Sequence, residues 1–136
     1  MSPPDNPNME TNHLLPSGDW EGFYNYAHDP EKHTISLRIQ FLNGRMDGSG
    51  SDDVGAFSWV GVYDLSSMRC NSLKIYATHR VIYNGYIDEN GIWGNWEIPP
   101  FDKGGFHIWP KSDASIEMEA VPEVTSEVPA QAGFLC

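Results

Sequence analysis

Positive charge and cysteine are both scarce in this chain, and no apolar run is long enough to span a bilayer. With Lys+Arg 8 against Asp+Glu 19, the formal net charge of -11 opposes sequence-independent binding to phosphate backbones and anionic lipid surfaces. Nucleic acid and membrane are therefore not expected as partners. The two cysteines, Cys70 and Cys136, make no disulfide framework and lack zinc-type spacing, so they read as free thiols. Cys136 also stands too late for a prenylation signal. The first residues lack the basic region and apolar run of a secretory signal, which makes a soluble, cytoplasmic protein the expectation. His13, His28, His33, His79 and His107 show no HxH or HExxH spacing, and His107, alone on a strand, lacks supporting ligands for a metal or haem. No cofactor or metal is expected. Helical apolar periodicity is missing too, which argues against bundles and βαβ units.

Strand periodicity is present almost throughout. Trp20, Gly22, Tyr24 and Tyr26 alternate with Glu21, Phe23, Asn25 and Ala27. His28–Lys32 reads as a turn. From His33 to Phe41, Ile35, Leu37, Ile39 and Phe41 form one face, opposite Thr34, Ser36, Arg38 and Gln40. Asn43-Gly44 is a strong hairpin signal, because both central residues of a type I′ turn need positive φ. The strand from Arg45 returns to about Gly50, and the Gly-rich stretch Gly48–Gly55 turns the chain into a strand carrying Phe57, Trp59, Gly61 and Tyr63 on one face. Leu65–Asn71 reads as a loop containing Cys70, and Ser72–Thr78 as a strand on which either Leu73 and Ile75 or Lys74 and Tyr76 point inward. Val81–Ile87, Ile92–Ile98 and Gly105–Trp109 complete the series, separated by Asp88-Glu89-Asn90-Gly91 and the Pro99–Gly104 loop.

About eight strand-like segments with short links predict an all-β antiparallel meander closing into a small barrel. Gly22, Gly48, Gly61, Gly85 and Gly94 lie inside strands, where glycine normally weakens the element; sharp coiling with aromatic cover gives them a reason. Residues 1–17 are expected to be a flexible arm, 18–110 the barrel, and 111–136 an acidic tail in which Ser115–Val121 adds an edge strand or remains part of the tail.

The segments Gly18-Asp19-Trp20-Glu21-Gly22-Phe23-Tyr24, Gly61-Val62-Tyr63-Asp64 and Gly94-Asn95-Trp96 resemble the calycin group, the lipocalin-like and avidin-like barrels. Their order is most similar to the streptavidin-like pattern. The resemblance covers about residues 18 to 110 and implies the fold alone. The polar residues that hold biotin in that family do not align onto this sequence, so none is carried over and biotin binding is not predicted.

An inward Trp20, Gly22, Tyr24 face makes the interior aromatic, either filled by side chains or hollow at one end. The hollow reading predicts a small apolar or aromatic ligand lined by Trp20, Tyr24, Trp59, Tyr63, Lys74, Tyr76, Tyr83 and Trp96, with Tyr63 rather than Asp52 touching it. Asp47–Ser58 superficially resembles a calcium loop, but Ser58 stands where a bidentate glutamate is required; Asp52 or Asp53 accepting backbone bonds in a turn is the simpler reading. No catalytic triad is legible, and the leading reading is non-enzymatic. The opposite strand face, with Phe23, Tyr86, Trp93 and Trp109, suggests self-association or a protein partner. A further alternative is an isomerase or cyclase using Lys74 or a tyrosine inside the barrel.

Overall fold

The computed structural model describes residues 9–112. Eight strands follow one another: β1 (Gly18–Tyr26), β2 (Asp29–Leu42), β3 (Arg45–Asp52), β4 (Ala56–Asp64), β5 (Arg69–Tyr76), β6 (Arg80–Asp88), β7 (Gly91–Ile98) and β8 (Asp102–Pro110). Each pairs antiparallel with its predecessor, and β8 pairs with β1, closing the barrel. This architecture is consistent with a calycin-like barrel.

Two-residue alternation places the core inside. Ile35, Leu37, Ile39 and Phe41 of β2 are buried, while Thr34, Ser36, Arg38 and Gln40 face out exposed. An apolar interior with a polar exterior is the reverse of the arrangement in channel-forming membrane barrels. At the β2–β3 hairpin, Asn43 and Gly44 have φ of 50° and 82°, the geometry expected of their type I′ turn. The in-strand glycines serve close approach between strands: a Cβ on Gly22 would stand 2.0 Å from the His107 carbonyl oxygen of β8.

One end of the barrel is shut by the chain itself. Within the stretch read as a flexible arm, residues 1–8 lie outside the described residues, but 9–17 pack across the opening. Met9 bridges to Leu42, the Glu10 amide donates to the Phe41 carbonyl, and Leu15 is fully buried. The Trp20 indole donates to the Pro16 carbonyl at 2.9 Å, and the Tyr63 hydroxyl donates to Glu10 Oε1 at 2.9 Å. The sequence reading underrated His13-Leu14-Leu15 because two leucines carry no period.

Several boundaries move. β2 begins at Asp29 rather than after a turn at 28–32. β3 continues through Gly50 and Ser51, which still pair with Phe57 and Ala56, so the turn shrinks to 53–55. The expected loop at Leu65–Asn71 is shorter because the Asp64 carboxylate accepts from the Ser66 amide and hydroxyl. β5 consequently starts at Arg69. It carries Cys70 into the core, where burial pushes the thiol up to about 12. The expected extra strand at Ser115–Val121, and Cys136, lie outside the described residues.

Outside the barrel, strand register lines up Tyr86, Trp93, His107 and Phe23 across β6, β7, β8 and β1. Trp109 packs on Phe23 and on His107, and the Tyr86 and Trp93 rings lie 5.0 Å apart. Tyr86 and Trp93 are exposed, 41% and 40%, which makes this band outer surface rather than misassigned core.

Candidate functional site at the open mouth of the barrel

Opposite the shut end, the connections at 27–28, 53–55, 77–79 and 99–101 surround an open mouth. Just inside it sits an ion pair. Inward positions of β3 alternate through Met46, Gly48 and Gly50 to Asp52, and those of β5 through Cys70 and Ser72 to Lys74 and Tyr76. Lys74 Nζ and Asp52 Oδ2 are 2.5 Å apart, and their side chains are 1% and 0% exposed. The Tyr76 hydroxyl donates to the same carboxylate oxygen at 2.5 Å, and Lys74 also donates to the Tyr83 hydroxyl at 3.1 Å. The second oxygen of Asp52 accepts the Val54 and Gly55 amides, tying this buried charge to the β3–β4 turn.

A buried ammonium needs more than one carboxylate to offset lost hydration. Four rings supply the rest: Nζ lies 4.6 Å from the Phe57 centroid, 4.9 Å from Tyr24, 5.3 Å from Tyr83 and 5.4 Å from Tyr76. Burial lowers the affinity of Lys74 for its proton, with Asp52 pulling the other way. Burial raises the Tyr24, Tyr76 and Tyr83 phenols well above their ordinary range, and the nearby carboxylates of Asp53 and Asp52 add to the effect.

The neighbouring carboxylate forms a second cluster nearer solvent. Asp53 accepts from the Tyr24 hydroxyl at 2.5 Å and stands 2.6 Å from His33 Nδ1, while the His33 ring stacks on Tyr24 at 4.8 Å. Partial burial raises Asp53, but the bonds from Tyr24 and His33 outweigh it and hold the carboxyl below its ordinary value.

Between these clusters and solvent is a cavity of about 80 Å³ lined by Tyr24, Tyr26, Tyr76, Tyr83, Trp96 and His79, with the aliphatic Val54, Val81 and Ile98 and the carboxylate of Asp102 completing its wall. The Trp96 indole donates to the Asn25 carbonyl at 3.1 Å, and its ring occupies space left by Gly104, where a Cβ would stand 2.7 Å from it. Tyr26 meets Trp96 edge-on at 5.4 Å, and His79 stacks on Tyr76 at 4.8 Å. Ligand pockets commonly run to roughly 300–1,000 Å³. Side chains therefore fill most of the barrel, and the remaining space suits one small group.

Of the residues singled out from sequence, Tyr24, Tyr76, Tyr83 and Trp96 come together at this cavity, with Lys74 directly beneath. Trp59 lies deeper, edge-on to Tyr83 at 4.8 Å, and its buried indole N–H has no acceptor among the described residues. Trp20 and Tyr63 stand at the shut end, far along the barrel axis from Asp52, which belongs to the mouth. Sequence reasoning passed over Tyr26, His33, Asp52, His79 and Asp102 here. Extending the alternation of β3 by one more inward step was the available signal for Asp52. The Asp52 turn bonds follow the simpler reading of that loop, and among the described residues no three His, Cys, Asp or Glu side chains converge as metal ligands. His107 faces outward, with Nε2 2.6 Å from the Asn90 carbonyl. In comparisons with family models, curated proteins and solved structures, nothing matches this chain.

Proposed function

We propose that this barrel is a non-enzymatic binding protein that takes a small group, apolar or aromatic in its surface, into the mouth cavity. The observation that carries this reading is the convergence of Tyr24, Tyr26, Tyr76, Tyr83 and Trp96 on a space that opens to solvent above a fully buried Lys74–Asp52 pair. An apolar replacement of such a pair is often as stable, so stability alone does not account for its place beneath the cavity. In this reading Tyr24, Tyr76, Tyr83 and Trp96 touch the ligand, Lys74 orients the Tyr83 hydroxyl while Asp52 and Asp53 orient those of Tyr76 and Tyr24, and Trp59, Trp20 and Tyr63 belong to packing.

Catalysis is the weaker reading. Lys74 is 1% exposed and its proton-bearing nitrogen is committed to Asp52 and Tyr83, which leaves no path for direct proton exchange with a bound molecule. Self-association through Phe23, Tyr86, Trp93 and Trp109 is a second, compatible reading, favoured by the exposure of Tyr86 and Trp93. Trp93→Asp should then lower the mass seen by light scattering without changing the fold.

The ligand reading is tested by thermal melting against small aromatic, aliphatic and alkylammonium compounds. A compound that prefers the folded state raises the melting temperature with concentration, and Trp96→Leu should remove that shift. If no compound shifts the wild-type protein, the reading fails.

A further inference from the structure

The composition of the mouth cavity narrows the ligand beyond its size, and this step rests on the binding reading above. We infer that the cavity is an aromatic cage for an alkylated ammonium head group, of the kind carried by a choline-like or methylated amine. Five electron-rich rings, Tyr24, Tyr26, Tyr76, Tyr83 and Trp96, line one small space, and such rings attract a cation through their negative faces. Three of them are enriched further by hydrogen bonds they donate. Tyr24 donates to the Asp53 carboxylate, Tyr76 to the Asp52 carboxylate, and the Trp96 indole to the Asn25 carbonyl. Each bond moves electron density toward the donating ring.

Charge balance points the same way. Asp53 and Asp102 stand at the mouth, and the Lys74 ammonium beneath is already neutralised by Asp52 at 2.5 Å. His33 stands on the Asp53 carboxylate and His79 stacks on Tyr76. Three of the same rings, Tyr24, Tyr76 and Tyr83, already hold one ammonium, that of Lys74, at 4.9, 5.4 and 5.3 Å. At about 80 Å³ it accepts a head group, and its opening lets the rest of the molecule extend outward.

The test compares choline with 3,3-dimethylbutan-1-ol, which has the same shape without the charge, using calorimetric titration and Trp fluorescence on the full chain. Choline is expected to bind at least tenfold tighter than the neutral compound and to perturb tryptophan emission. Asp102→Asn, which leaves the buried network untouched, should weaken choline several-fold and leave the alcohol unchanged. Trp96→Phe should retain folding and weaken choline, because the smaller ring is the poorer cation acceptor. Equal affinity for both compounds, or binding of phenol or indole with none for choline, overturns the cage and leaves the binding reading standing. Absence of binding by choline, the alcohol, phenol and indole alike overturns both.

Discussion

Lys74 holds a proton where water does not reach, between one carboxylate, one phenol and four rings. Removing its charge leaves the Asp52 carboxylate buried without a counter-ion, a loss of the kind that costs about 3–5 kcal/mol. Lys74→Met should therefore lower stability by that order in urea unfolding. Lys74→Met with Asp52→Asn should recover most of it, because the amide oxygen of Asn can still accept the Val54 and Gly55 amides. A double variant no more stable than the single one would refute the pairing argument. Nothing in the local sequence Ser72-Leu73-Lys74-Ile75-Tyr76 marks Lys74 as an inward residue, since either face is apolar enough to be buried. The choice is made by register, which sets Lys74 opposite Trp59 on one side and Val81 on the other.

At the scale of elements, the eight strands were legible because alternation and turn chemistry agree, as at Ile35–Phe41 followed by Asn43-Gly44. Strand ends were less legible. They depend on side-chain bonds such as Asp64 to Ser66, which shorten a loop without changing its composition. The plug at residues 9–17 had no periodic signal at all, because its work is done by single contacts. Leu15 is fully buried against the end of the barrel, so Leu15→Ala should cost about 2–5 kcal/mol, read as a lower urea midpoint. Deleting residues 1–17 should cost more and expose Trp20 and Tyr63, visible as increased tryptophan quenching by acrylamide. A variant as stable as wild type would mean that the segment merely rests on the barrel.

For the whole molecule, the buried phenols set the alkaline limit. Tyr24, Tyr76 and Tyr83 keep their protons in the folded state beyond the value of 10.0 expected of a free phenol. Above pH 10 the unfolded chain binds fewer protons than the folded one, so stability falls as pH rises, by about 1.4 kcal/mol per pH unit for a phenol as deeply buried as Tyr83. Lys74 acts oppositely, since its lowered proton affinity makes stability rise with pH up to its free value of 10.5 and level off there. The phenols should dominate beyond that point. Absorbance at 295 nm should show at least three of the six phenols ionising only with unfolding; ionisation of all six near pH 10 in a folded protein would contradict their burial.

The sequence by itself determined that this chain forms an antiparallel barrel with an aromatic interior, because period, turn residues and in-strand glycines are local properties carried along the chain. Only the tertiary structure decided which end is open, that side chains fill most of the interior, and that Asp52, Lys74, Tyr76 and Tyr83 meet. Those facts depend on how β3, β5 and β6 are registered after closure, and contacts between residues far apart in sequence leave no period in any one segment. The mouth is accordingly a product of closure, built from residues that individually read as turn, strand or solvated surface.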